Sequence, residues 1–127
     1  MPRLIGIGQS LPYLLEGGNI SAQEAKKVGL VHEVVPPSEL IAAAKRWLLG
    51  SPVAVQPWDQ KGFKVPGGAG FANPAVAMTF TGATALVARK TLHNLPAPVT
   101  ILSCVYEGTL VPIDEALEIE AKYFATL

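Results

Sequence analysis

Apolar positions recur along most of this chain at three- and four-residue spacing, the period of helices with one buried face. Over Pro2 to Glu16, Leu4, Leu11, Leu14 and Leu15 fall on a rough stripe interrupted by Gly6, Gly8 and Pro12, which predicts one short, imperfect helix. Gly17 and Gly18 end it. Ser21 with Glu24 three residues on is a capping box, so a helix over residues 22–28 follows, with Gly29 placed for a left-handed end. Leu30, Val31, Val34 and Val35 form a β-branched run closed by Pro36 and Pro37, and one short strand is expected at residues 30–35. Ser38 is placed to cap a helix whose Leu40, Ile41, Ala44, Trp47 and Leu48 make it amphipathic up to Gly50.

Farther along, Asn73 before Pro74 reads as a cap and a first-turn proline, opening an Ala-rich helix to Leu92. Pro96 and Pro98 should break it. A helix from Pro98 to Tyr106 with Gly108 as its stop is expected next, and then a last helix from Glu115 capped by Asp114. In that helix Leu117, Ala121 and Phe124 share a face, while Glu118 and Lys122 form an i,i+4 pair. The fold class is therefore mostly α, with one short strand.

Composition alters this picture in two ways. Twelve glycines and eleven prolines exceed the roughly 12% expected together from average usage. Many of them gather as Pro52, Pro57, Gly62, Pro66, Gly67, Gly68 and Gly70, so residues 51–73 read as a loop dividing a first part, 1–50, from a helical second part, 74–127. Half of the 127 residues are apolar and mean hydropathy is +0.34. A domain of this size buries only about two-thirds of its unfolded surface, so some apolar surface is expected to lie against a partner, a second copy or further polypeptide.

Ten basic and ten acidic residues leave zero net charge without a basic stripe, which argues against nucleic-acid binding. The single cysteine, Cys104, sits in an apolar run, which favours a reducing compartment such as the cytoplasm over a disulfide-built scaffold. No signal peptide or membrane span is legible.

Candidate chemistry is sparse. His32, His93 and Cys104 are far apart in sequence, without metal-ligand spacing. Ser10, Ser21, Ser38, Ser51, Ser103 and Cys104 lie in no nucleophile elbow, and Ser21 and Ser38 have capping roles. The glycine clusters at Gly6 and Gly8 and at Gly67, Gly68 and Gly70 lack the strand and helix of a phosphate cradle and read as turns. Glu33, Asp59, Glu107, Glu118 and Glu120 are the carboxylates open to acid–base work, with Glu120 beside the Leu117 and Phe124 stripe and expected to be partly buried. Trp58 and Phe63, flanked by Lys61 and Lys64, could stack on an adenine and meet phosphates.

The order of residues says more. Pro2-Arg3-Leu4-Ile5-Gly6, then Glu16-Gly17-Gly18 with Ile20-Ser21-Ala22-Gln23-Glu24-Ala25-Lys26, then Gly29-Leu30-Val31-His32-Glu33-Val34-Val35-Pro36 resembles the enoyl-CoA hydratase (crotonase) superfamily. Gln56-Pro57-Trp58-Asp59, Lys61-Gly62-Phe63-Lys64-Val65-Pro66-Gly67-Gly68, Pro96-Ala97-Pro98 and Val105-Tyr106-Glu107-Gly108 are similar to one branch of it, the multifunctional fatty-acid oxidation proteins that join a hydratase to a 3-hydroxyacyl-CoA dehydrogenase. Asp114, Ala116-Leu117, Ile119-Glu120 and Tyr123-Phe124 continue that likeness.

The resemblance implies the C-terminal helical part of a crotonase-like α/β spiral domain over residues 1–50. It further implies a helical region, 74–127, leading to the linker helix before a dehydrogenase domain. Hydration in that family uses two glutamates and an oxyanion hole of two backbone amides. The resemblance places them ahead of Met1, so no residue here is carried over as catalytic, and no residue is assigned to CoA or to a metal. It implies acyl-CoA as substrate of the intact protein and NAD in the dehydrogenase domain, outside this chain. The expected role is closing the acyl-CoA pocket and packing subunits, inactive alone, with a homo-oligomer or the missing parent domains covering its apolar faces. Two other readings stay open: a separately encoded subunit completing a hydratase with a partner, and a non-enzymatic helical interaction module.

Overall fold

The computed structural model describes residues 1–50 and 55–127; Ser51 and Pro52, named above as a candidate nucleophile and a loop proline, lie outside the described residues. Seven α-helices appear among the described residues: α1 (Pro2–Ile5), α2 (Ile7–Glu16), α3 (Ala22–Lys27), α4 (Leu40–Gly50), α5 (Pro74–Thr91), α6 (Pro96–Gly108) and α7 (Ile113–Phe124), with 3-10 turns at Pro37–Glu39 and Pro57–Asp59.

The expected first helix is two. Its break falls at Gly6, not at Pro12, because Gly6 adopts φ 85°, whereas Pro12 sits inside α2. A proline mid-helix gives up its own amide bond and crowds the carbonyl four residues back, which here is Gly8. A Cβ on Gly6 would come within 2.7 Å of Pro66 O, so the α1–α2 corner is also where the 55–73 loop presses on the helices.

Helix α3 begins and ends as its sequence dictates. Ser21 Oγ accepts from Glu24 N at 3.1 Å. At the other end Gly29 is left-handed, Gly29 N donates to Lys26 O and Leu30 N donates to Ala25 O, the paired bonds of a Schellman end. That same end accounts for the absent strand. The amides of Leu30 and Val31 both turn back to Ala25 O, and residues 31–36 run without regular structure; among the described residues there is no strand. A β-branched run needs a neighbouring strand to become one.

Three helix starts differ from expectation. Ser38 lies inside the Pro37–Glu39 turn and caps nothing through its side chain. Helix α6 begins at Pro96 and carries Pro98 in its first turn, where amides have no helical acceptor to lose. Helix α7 begins at Ile113 after Pro112, leaving Asp114 in the first turn, where its charge favours the helix N-terminus without a side-chain cap. Asn73 does cap α5, accepting from Ala75 N at 3.1 Å. The expected Glu118–Lys122 pair is not formed; the ion pair among the described residues joins Lys90 to Glu16 at 2.6 Å.

Helices α2, α5 and α6 pack mutually, α1 stays on α2, and α7 folds back along α6. Their core is set by period: Val76, Phe80, Ala83 and Val87 on α5, Ile7, Leu11, Leu14 and Leu15 on α2, and Ile101, Leu102, Val105 and Tyr106 on α6. The Pro/Gly-rich loop contributes to it, since Phe63, Val65 and Ala69 join this cluster. Phe71 stacks on Tyr106 with ring centroids 4.5 Å apart, and Phe80 meets Tyr106 edge-on at 5.5 Å. Residues 18–50 are different: their buried positions are Ala25 and Ala43, and α4 packs on its own preceding 3-10 turn.

Candidate functional site

A groove of about 330 Å³ lies where α1, α6 and α7 meet, with Trp58 from the loop in its lining. Short connections create it. Only four residues separate α6 from α7, so the two helices lie side by side, and α1 is tied across their junction. Arg3 Nη2 donates to Gly108 O at 2.7 Å and also to Val111 O. A guanidinium there satisfies carbonyls that the end of α6 leaves free and faces the negative end of its dipole.

Most of the wall is apolar, including Ile101, Ile113, Leu117 and Phe124. Polar side chains interrupt it, Arg3, Cys104, Glu120 and Tyr123 among them. Cys104 is half-buried, and its thiol pKa is pushed up, first by burial and then by the negative charges of Glu120 and Glu107. A thiol held protonated is a poor nucleophile. Tyr123 Oη donates to Glu107 Oε1, bridging α7 to α6, and this bond is the leading cause that raises the phenol's pKa. Glu120 stands on the α7 wall and remains exposed, so the partial burial expected for it does not occur. Met1 lines the groove from the start of α1, and the pKa of its α-amino group is lowered by burial, a shift that Glu120 opposes. The groove thus joins apolar surface to the Glu120 carboxylate, the Arg3 guanidinium and a phenol held by Glu107, an arrangement suited to receiving apolar groups.

The remaining candidates are spread over the molecule. His32 sits against Trp47, with ring centroids 5.2 Å apart, His93 follows α5 in a left-handed turn, and Cys104 is on α6. Among the described residues no three His, Cys, Asp or Glu side chains gather as a metal cage. Ser10 is fully buried and donates to Ile7 O at 3.0 Å, a local helix bond. Ser103 lies beside Tyr123. Glu33, Asp59 and Glu118 are exposed and apart from the groove lining.

The pairing of Trp58 with Phe63 separates: Trp58 lines the groove, Phe63 packs on the core, and Lys61 and Lys64 are exposed. The Gly67 to Gly70 cluster makes turns, with Gly68 N donating to Val65 O and Asn73 Nδ2 to Gly67 O at 3.0 Å. No strand precedes it among the described residues, so it does not fit a dinucleotide pyrophosphate. Arg3 and Tyr123 are the groove residues that residue-by-residue reasoning missed. Their partners lie 105 and 16 positions away, and no local spacing announces them. No helix among the described residues is long and apolar enough to cross a membrane.

No family model matches the chain. Over its whole length it is nevertheless similar to proteins named fatty acid oxidation complex subunit alpha. It is 35% identical over 128 residues to that of Shewanella sp. (strain MR-4), 36% to that of Shewanella baltica (strain OS155 / ATCC BAA-1091) and 37% to that of Shewanella loihica (strain ATCC BAA-1088 / PV-4). Each alignment takes in 100% of this chain, and the chain spans 18% of the length of these relatives.

Proposed function

We propose that this chain works in fatty-acid β-oxidation as a helical portion of an enoyl-CoA hydratase/3-hydroxyacyl-CoA dehydrogenase, where it closes the acyl-CoA pocket and packs against neighbouring subunits. The observation that carries this reading is the similarity of about 35% along the entire chain to the named alpha subunits. The structure lends support of a different kind. A helical unit whose α4 face and α7 groove are both apolar and open has surface suited to covering something larger.

On this reading the chain supplies binding surface and shape, and the two glutamates, the oxyanion-hole amides and the NAD site lie in residues outside it. Replacing the matching segment of a Shewanella alpha subunit with this chain tests it. A folded chimera is expected to hydrate crotonyl-CoA within about tenfold of the parent, while the 127-residue chain, its mass verified, is inactive alone. Hydration by the chain alone, or a folded chimera without hydration, contradicts the proposal.

A further inference from the structure

Helix α7 is held differently from the rest of the bundle. Helices α2, α5 and α6 each contain buried residues, whereas α7 contains none. Its inner line of Ile113, Ala116, Ile119 and Tyr123 recurs every three or four residues, is half-buried and has α6 as its packing partner. So thin a seam removes little apolar surface from water, and the position of α7 depends on a few specific bonds.

Those bonds sit at its two ends. At the root, Thr109, Leu110, Val111 and Pro112 join α6 to α7 outside either helix. Arg3 of α1 donates to Gly108 O before this joint and to Val111 O within it, so one guanidinium bridges the joint and sets its angle. Beside it the two helices approach closely, since a Cβ on Gly108 would come within 3.4 Å of Ala116 Cβ. In the last turn of α7, Tyr123 Oη reaches back to donate to Glu107 Oε1 of α6.

We propose that α7 is a hinged flap on the groove, swinging about residues 109–112, with Arg3 as the clamp on its joint and the Tyr123–Glu107 bond as the catch that holds it shut. Opening carries the wall of Leu117, Glu120 and Phe124 away from Ile101 and Cys104 and widens the groove, while α2, α5 and α6 keep the core between them. An occupant that touches both walls binds the shut state better and draws the flap closed. This inference stands apart from the proposed function, because clamp, joint and catch all lie within this chain and need no acyl-CoA.

Distances between nitroxide labels, read by double electron–electron resonance on the dilute full chain, test it. In a C104S background, labels at M78C and E118C stand on exposed positions of α5 and α7, and a second pair at M78C and Q9C spans α5 and α2 as a reference. The 78–118 pair is expected to show a main distance and a minor, displaced one. Y123F removes the catch and is expected to raise the ratio of minor to main about threefold to tenfold, and R3Q, which loses bonds from a charged donor, about tenfold or more. The 78–9 distance is expected to stay fixed in both, which separates a swinging flap from a loosened bundle. Where R3Q shifts that reference, R3K, which keeps the charge, takes its place. An unchanged 78–118 distribution in either variant, or a 78–9 distance that shifts with it in Y123F, overturns the proposal.

Discussion

Helices α4 and α5 are each apolar along one side, yet they end in opposite surroundings. The α5 stripe of Val76, Phe80, Ala83 and Val87 is modest in size and is covered by α2 and α6, leaving Phe80 only 4% exposed. The α4 stripe is bulkier, with Leu40, Ile41, Trp47 and Leu48, and it faces solvent while Ala43 on the neighbouring edge is the residue that is buried. Periodicity thus marks a face that gains from cover, and the chain's own topology decides whether the cover is local. For α5 the partners arrive through short connections. For α4 they have to come from elsewhere.

Substitutions turn this contrast into numbers, beginning with the largest. Phe80→Ala removes a ring from the centre of the bundle and is expected to cost about 3–5 kcal/mol by denaturant unfolding. A loss below about 1 kcal/mol would mean that the bundle is not the stable part. Gly6→Ala places a Cβ within 2.7 Å of Pro66 O at a φ of 85°, and roughly 1–3 kcal/mol of strain is expected at the same readout. An unchanged midpoint would show that the loop does not press on the α1–α2 corner.

A smaller effect follows from Cys104. Its folded-state pKa lies above the ordinary 9.0, chiefly through burial, so the thiol's contribution is full below that value and is lost as pH rises through the folded one. Melting temperature is therefore expected to drop as pH rises past 9.0, and to drop less in C104S. Equal declines in both proteins would remove the thiol from the account. Leu48→Ala is expected to change the stability of dilute, monomeric chain by no more than about 0.5 kcal/mol. A cost like that of Phe80→Ala would show α4 to be covered within one chain, erasing the contrast between the two helices.

What the sequence made legible was local. Ser21 with Glu24, Gly29 as a left-handed end and Asn73 before Pro74 each act within six residues, and the structure has the Ser21 half of the capping box, the left-handed Gly29 and the Asn73 cap. Errors arose where a local signal had a distant competitor. The β-branched run at residues 30–35 has no strand beside it among the described residues, and its first amides go to α3 instead. The proline pair at Pro96 and Pro98 signals a break only if the helix has already begun; at a helix start the same residues are welcome.

The groove was only partly legible. Leu117 and Phe124 were readable as one face, and Glu120 as its polar neighbour, but the wall opposite depends on Arg3 bonding across 105 residues and on Tyr123 reaching Glu107. Likewise Phe63 was readable as an exposed stacking group because it neighbours Trp58 and two lysines, and it is the core that claims it. In all these cases the deciding partner is remote in sequence, which spacing alone does not encode.

Hydrogen exchange read by mass spectrometry, on chain diluted until it is monomeric, tests the central contrast most directly. An 11-residue helix without cover lies below the roughly 12–15 residues that hold a helix in water. Amides of α2, α5 and α6 are expected to exchange slowly, with the free energy of global unfolding, and those of α4 to exchange through local opening orders of magnitude faster. Slow exchange in α4 equal to that of α5 would contradict the account, because it would mean that α4 finds its cover inside a single chain.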